Sequence, residues 1–432
     1  MSKVLEQATA AAQQGNWSLL IQCLQQLPLG KNASDTDVEL APLSDTELEQ
    51  VLNLALDVLY AGDFRERWDV AKVFPKLGER AIASLIEILE DEDVEIEVRW
   101  FTARILGDFN HPSVINTLVN LLKKAEDEDL AIMIATALSN LSSSAIDALA
   151  SLLADSQTRL LATTALSQIR RPEIIEPLLS VVHDPQVTVR SIAIEALSSF
   201  HDARIPLVLL EGLNDSAAEV RKEAVTGLGL RPDLWDELDL LNRLKPLLYD
   251  LNRDVCQQAA IAMGRSGRDE AAQALFEGLK SPATPVPLQI DFIRALAWVG
   301  TPQALEYLQQ ALTYVSVDGA YEIINLLGRI EQPRLKTRAA QIILDFFQSQ
   351  HPTTTLPTIK QAIAQAWGHL GHRSALDALV GLLADSEESV RWHAIAALKN
   401  FPTAHQQLEQ LATDENLTPA LKQGVAIALA EW

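Results

Sequence analysis

Between Asp184 and Leu228 the alternation of apolar and polar positions repeats itself. Asp184, Val189, Arg190, Ala193, Ala196 and Leu197 return 31 residues later as Asp215, Val220, Arg221, Ala224, Gly227 and Leu228. The apolar members recur every third or fourth position, which is one face of a helix. Between the copies Ile205, Leu207, Leu210 and Leu213 form a second set at helical spacing. Each copy therefore predicts a helix, a tight turn, a second helix, and a turn carrying Asp. A period of about 30 to 45 residues built from helix pairs predicts an all-α stack in which each pair touches only its neighbours.

The position of Arg190 and Arg221 serves as a register slot for the whole chain. It falls near Arg67, Arg99, Ala131, Arg159, Arg190, Arg221, Cys256, Phe292, Ala320, Ile363 and Arg391, which makes about eleven helix pairs at spacings of 28 to 43 residues. Residues 4–28 read as two short helices broken at Gly15 and Asn16, and a polar linker is expected near 30–43. Ser44 and Glu47 have capping-box spacing ahead of an amphipathic helix that ends near Leu59. The expected organisation is an N-terminal helical extension or cap over 1–60, repeats over 61–413, and a C-terminal capping helix over 414–432. Three irregular loops interrupt the series: Arg231–Asp239 with Pro232 and Trp235, Ser281–Pro287 with three prolines, and Ser349–Pro357. In stacks of this kind loop insertions fall on one face.

In four units an Asp precedes the slot Arg by six residues: Asp93 and Arg99, Asp184 and Arg190, Asp215 and Arg221, Asp385 and Arg391. The Asp can accept the unpaired amides that open the first helix. The Arg can reach the Asp of a neighbouring repeat and build a ladder of charge pairs. Asp93, Asp184, Arg190, Asp215, Arg221 and Asp385 are accordingly assigned a structural role. This Asp–Arg pattern resembles the HEAT repeats, over roughly residues 61–413. The resemblance implies an α-α superhelix, a HEAT-like solenoid that binds proteins on a concave surface lined by the second helix of each pair.

Composition narrows the function. Apolar residues are 48% of the chain and aromatics only 5%, which suits close-packed helix pairs. A net charge of −23 speaks against a general grip on nucleic acid or on an anionic membrane. Two cysteines, Cys23 and Cys256, suggest neither a disulfide framework nor a cysteine metal site, which suits a reducing cytoplasm. No run approaches 18 apolar residues, and the N-terminus has no apolar signal core.

No catalytic residue and no metal ligand set emerges. The chain has no Gly-rich phosphate loop with Lys and Ser or Thr, no GxSxG turn and no HExxH. One family of helix-repeat enzymes, the deoxyhypusine hydroxylases, holds iron with His-Glu pairs, and none of the eight His here is followed by Glu. The acidic runs near Glu90 and Glu126 open helices, where negative charge complements the helix dipole. The tryptophans say more. Trp68, Trp100 and Trp392 each follow a slot Arg, where sister repeats carry Ser191, Lys222 and Gln257. A large aromatic beside Arg is a candidate contact for a partner. Trp298 and Trp367 stand among apolar residues and are expected in the core.

The strings Val98-Arg99-Trp100-Phe101-Thr102-Ala103-Arg104-Ile105-Leu106-Gly107 and Val390-Arg391-Trp392-His393-Ala394 resemble the repeats of the phycobilin lyase family. Members attach bilins to phycobiliprotein cysteines, exchange or isomerise them, or assist phycobilisome breakdown. The resemblance implies a partner-binding set of Trp68, Arg99, Trp100, Arg104, Arg391, Trp392 and His393, a phycobiliprotein subunit as partner, and a bilin as possible cofactor. A scaffold or chaperone acting on phycobiliproteins is the leading expectation. A bilin lyase, which would need a basic patch such as Arg99 with Arg104 or Arg170 with Arg171, is the alternative, and a scaffold unrelated to phycobilins is another.

Overall fold

The computed structural model describes residues 3–29 and 43–432; the expected linker falls almost wholly outside them. The described residues contain helices and turns and no strand. They form two compact units, residues 1–201 and 202–432.

The first unit contains α1 (Lys3–Gln13), α2 (Trp17–Gln26), α3 (Asp45–Ala61), α4 (Phe64–Val70), α5 (Phe74–Leu77), α6 (Arg80–Glu90), α7 (Ile96–Leu106), α8 (Pro112–Leu122), α9 (Glu128–Asn140), α10 (Ile146–Leu152), α11 (Arg159–Gln168), α12 (Ile175–Leu179) and α13 (Val187–Leu197). The second contains α14 (Ile205–Gly212), α15 (Ala218–Gly229), α16 (Leu240–Leu244), α17 (Arg253–Arg265), α18 (Asp269–Lys280), α19 (Val286–Val299), α20 (Pro302–Ala311), α21 (Val317–Gly328), α22 (Pro333–Gln348), α23 (Pro357–Leu370), α24 (Leu376–Leu382), α25 (Glu388–Leu398), α26 (Ala404–Ala412) and α27 (Pro419–Ala430). The fold is an all-α superhelix of stacked helix pairs.

Local sequence sets the helix ends. Gly15, with φ of 66°, takes the left-handed turn after α1, and the Asn16 side chain accepts the Leu19 amide to open α2. Ser44 and Glu47 close a reciprocal capping box on α3. The repeat Asp stands farther out than an N-cap. Asp184, Asp215, Asp250 and Asp385 each accept the amide of the residue two positions on, at 2.8, 2.8, 2.8 and 3.0 Å. That acceptor closes an Asx turn and holds the N-cap residue itself, leaving the helix amides to other partners.

In each unit the helices that carry the slot pack on one another in chain order: α7, α9, α11 and α13 in the first, and α15, α17, α19, α21, α23 and α25 in the second. Small residues let them approach. A Cβ placed on Gly107, Gly229, Gly264, Gly328 or Gly368 would lie 2.7 to 3.0 Å from Ala137, Ala262, Ala295, Ala366 or Ala397 respectively. Each glycine is eight residues after its slot, and each alanine is six after the slot of the next repeat. The rule holds for all five contacts only if the slots of α19 and α23 are Gln289 and Lys360. Phe292 and Ile363, the positions read from sequence, are one helical turn too late.

Candidate partner-binding surface

The slot Arg earns its place by turning back on its own turn. Arg190 Nη1 donates to Asp184 O at 2.8 Å and Pro185 O at 3.2 Å. Arg221 and Arg391 repeat this on Asp215 O and Ser216 O, and on Asp385 O and Ser386 O. Cys256, in the same slot, places its thiol 3.1 Å from Asp250 O. The free edge of the guanidinium reaches the next repeat. Arg159 pairs with Asp184 at 2.8 Å, and Arg221 grips Asp250 with Nε and Nη2, each at 2.8 Å. Lys360 pairs with Asp385 at 2.6 Å. Burial alone pushes the Asp250 carboxyl up, but the Arg221 hydrogen bonds, the Asn252 amide and the guanidinium charge outweigh it and hold it below the usual carboxylate range. Arg67, buried in α4, donates to Leu59 O, Tyr60 O, Glu95 and Glu97. Arg99 and Asp93 depart from this scheme. Arg99 Nε donates to Leu89 O at 3.1 Å, and Asp91 rather than Asp93 supplies the turn carboxylate. Among the described residues the Asp93 carboxylate has no partner.

The residue after the slot faces away from the core. Trp68 is 39% exposed and Trp392 43%, while Trp100 is half-buried. In the first unit these side chains gather. Arg104 lies over the Trp68 ring, its Cζ 3.9 Å from the ring centroid. Trp68 stacks with Phe64 at 6.4 Å, and Phe64 meets Phe101 edge-on at 5.2 Å. Phe101 is fully buried and meets Trp100 at 5.0 Å. A chain of rings thus anchors two surface tryptophans to the core, with a cation held on one of them. Such a cation–π contact is worth roughly 0.5 to 2 kcal/mol.

The strip continues beyond the residues picked out from sequence. The same place after the slot holds Ile132 on α9, 47% exposed, and Leu160 on α11, half-buried. Phe64 and Ile96, one turn earlier on α4 and α7, are also exposed. The register already named Ala131 and Arg159, so Ile132 and Leu160 were one step away. The basic patches are modest: Arg99 is bound to the Leu89 carbonyl of α6, and Arg170 and Arg171 are exposed in the turn after α11.

In the second unit Trp392 Nε1 donates to Glu388 at 3.3 Å, and His393 Nδ1 lies 2.7 Å from Ser389 O. Trp392 and Arg391 border a small cleft against Gly424 and Ile427 of α27. His393 borders an open groove over α21 and α23 with Tyr321, Gln361 and Gln365. Trp367 is fully buried, its indole N–H without a partner among the described residues and its ring 5.5 Å from Phe347. Trp298 is 53% exposed and is not a core residue. It lies one turn beyond Arg294 on the outward edge of α19, and the apolar run around it belongs to the other faces of that helix. Among the described residues no helix is long and apolar enough to cross a membrane.

Comparison with known proteins agrees with this architecture. Crystalline importin beta superposes on 98% of the chain, with a TM-score of 0.52 and 13% identity, and the chain spans 63% of that structure. Kap95p from a structure with RanGDP gives a TM-score of 0.50 and 14% identity over 99% of this chain and 65% of its own. At this identity the likeness is one of fold. UvrABC system protein B of Streptococcus suis is 29% identical over 126 residues, which are 26% of this chain and 19% of that protein. The profile of the HEAT repeats matches residues 82–160, 154–229, 205–290, 240–320 and 354–430. With well over half its length matched in this way, the chain belongs to the HEAT repeat family.

Proposed function

We propose that this protein is a scaffold that binds another protein through the aromatic strip of its first unit, and that the partner is a phycobiliprotein subunit. The observation that carries the binding reading is Trp68, exposed on α4 and held in place by Arg104. Rigid aromatic and Arg side chains dominate the energetics of protein interfaces. Their anchoring through Phe64 and Phe101 removes much of the ordering cost of binding. Support for the phycobiliprotein comes from the strings Val98–Gly107 and Val390–Ala394, which resemble phycobilin lyase repeats. Trp392 and His393 are assigned to the same role in the second unit.

Capture of a purified phycobiliprotein subunit by the immobilised full chain tests this. Replacing Trp68 and Trp100 by Ser should weaken capture at least about tenfold, or 1.4 kcal/mol, with little change in thermal stability. A large fall in stability with capture intact would make the rings packing residues. If Trp392→Ser instead loosens α27, that ring serves packing. Capture of other proteins but not of the phycobiliprotein would leave the scaffold and remove the named partner. Bilin absorbance retained by the chain after co-expression would favour the lyase.

A further inference from the structure

We propose a second interaction surface, confined to the second unit: the C-terminal ends of α15, α17, α19 and α21 take an extended peptide segment in which apolar and acidic residues alternate. Nine residues after the slot, these helices carry Leu230, Arg265, Trp298 and Arg329, all exposed. Backbone contacts bring them side by side. Gly229 abuts Ala262, Gly264 abuts Ala295, and a Cβ placed on Gly267 would lie 3.9 Å from Val299 O. Beside Arg265 is an open cleft of about 240 Å³, walled by Leu228, Leu230, Pro232, Trp235 and Ala262. The irregular loop after Arg231 supplies Pro232 and Trp235, so the insertion builds one wall of the cleft.

Neither the Arg265 nor the Arg329 side chain has a hydrogen-bond or ion-pair partner among the described residues. The acids nearest in sequence, Asp269, Glu270 and Glu331, take no bond from either. A cation at a helix C-terminus is favoured by the helix dipole. That accounts for two arginines but not for the exposed Trp298 between them, nor for the apolar cleft. In a chain of net charge −23, two unpaired guanidiniums are a local attraction for carboxylates. Stacked helices lie about 8 to 10 Å apart, and a segment in the extended polyproline II conformation advances about 3.1 Å per residue with three residues per turn, so one helix step spans about three residues and returns to the same side of the segment. The fitting segment seats an apolar side chain in the cleft with a carboxylate on Arg265, an apolar residue over Trp298 three positions on, and a second carboxylate on Arg329 three further.

The test uses the full chain and a fluorescein-labelled peptide of this spacing, with leucine at the apolar positions and glutamate at the acidic ones, read by fluorescence polarisation. The control peptide has lysine for glutamate. The glutamate peptide should bind, and binding should weaken at least about tenfold in Arg265→Ala/Arg329→Ala, in Trp298→Ser, and at about 0.5 M salt. Replacing Trp68 by Ser should leave it unchanged, which separates this surface from the strip of the first unit. Far-UV circular dichroism checks that the variants, all at exposed positions, remain folded. Equal binding of the lysine peptide, unchanged binding by the double arginine variant, or no binding at about 1 mM peptide overturns the proposal.

Discussion

Replacing Arg221 by Ala tests whether the charge ladder holds the repeats together. Arg221 gives Nε and Nη2 to Asp250 and Nη1 to two carbonyls of its own turn. Its side chain is 16% exposed and that of Asp250 only 7%. Removing the guanidinium strands a buried carboxylate with the Asn252 amide as its remaining donor. Breaking a buried pair in this way costs about 3 to 5 kcal/mol. Because Arg221 touches water at one edge, the lower end applies, and about 3 kcal/mol is a hundredfold or more in a local opening constant. Repeat arrays open in parts, so a global midpoint dilutes the effect. Native-state hydrogen exchange of the α15 and α17 amides reads it directly.

The pH dependence gives the sign. A carboxyl held below its ordinary value contributes stability that is fully present above that value, near pH 3.9, and is lost as pH falls through the depressed one. The gap between wild type and Arg221→Ala should therefore be full at pH 7 and narrow below about pH 4. The double replacement Arg221→Met/Asp250→Leu should recover most of the loss, since an apolar pair of similar volume carries no desolvation penalty. If Arg221→Ala changes exchange in α15 and α17 by less than about threefold, or if the gap is as wide at pH 3 as at pH 7, the ladder does not hold this interface.

Two further outcomes follow from the packing. Gly264→Ala should loosen the contact of α17 with α19 by about 1 to 3 kcal/mol, because the new methyl would fall 2.8 Å from Ala295 O, and unchanged exchange there would contradict the close approach. Lys360→Arg should keep the protection of α23 and α25 while Lys360→Ala loses it, and equal behaviour of the two would remove Lys360 from the slot.

Most of the helix-pair pattern was legible because Val189, Arg190 and Ala193 recur intact as Val220, Arg221 and Ala224. The register failed in α19 and α23, two of the helices in which the Arg is replaced, and held at Ala131, Cys256 and Ala320. A shift of three residues on a helix turns it by nearly a full turn, so the apolar face around Phe292 or Ile363 looks the same from either phase. Only the Gly–Ala contacts and the Lys360–Asp385 pair distinguish the phases, and those are properties of two repeats together. Trp298 was misplaced for a related reason. A first helix is buried against its own pair and against both stack neighbours, so most of its circumference is apolar and its one free edge leaves a weak periodic trace.

The candidate site was legible as single residues but not as a surface. Trp68 and Trp100 stood out against Ser191, Lys222 and Gln257, yet Ile132 and Leu160 occupy the same place in the repeats between. Taken together, Trp68, Trp100, Ile132 and Leu160 form an apolar row on four successive slot helices, and the row ends at Ser191. Isolated exposed apolar residues need no explanation, whereas a run aligned by the repeat itself amounts to a contiguous patch. Exposed area of that kind is lost to water unless something covers it. The Arg104–Trp68 contact limits the loss in the free protein by shielding one ring face and leaves the rest of the row open to a partner.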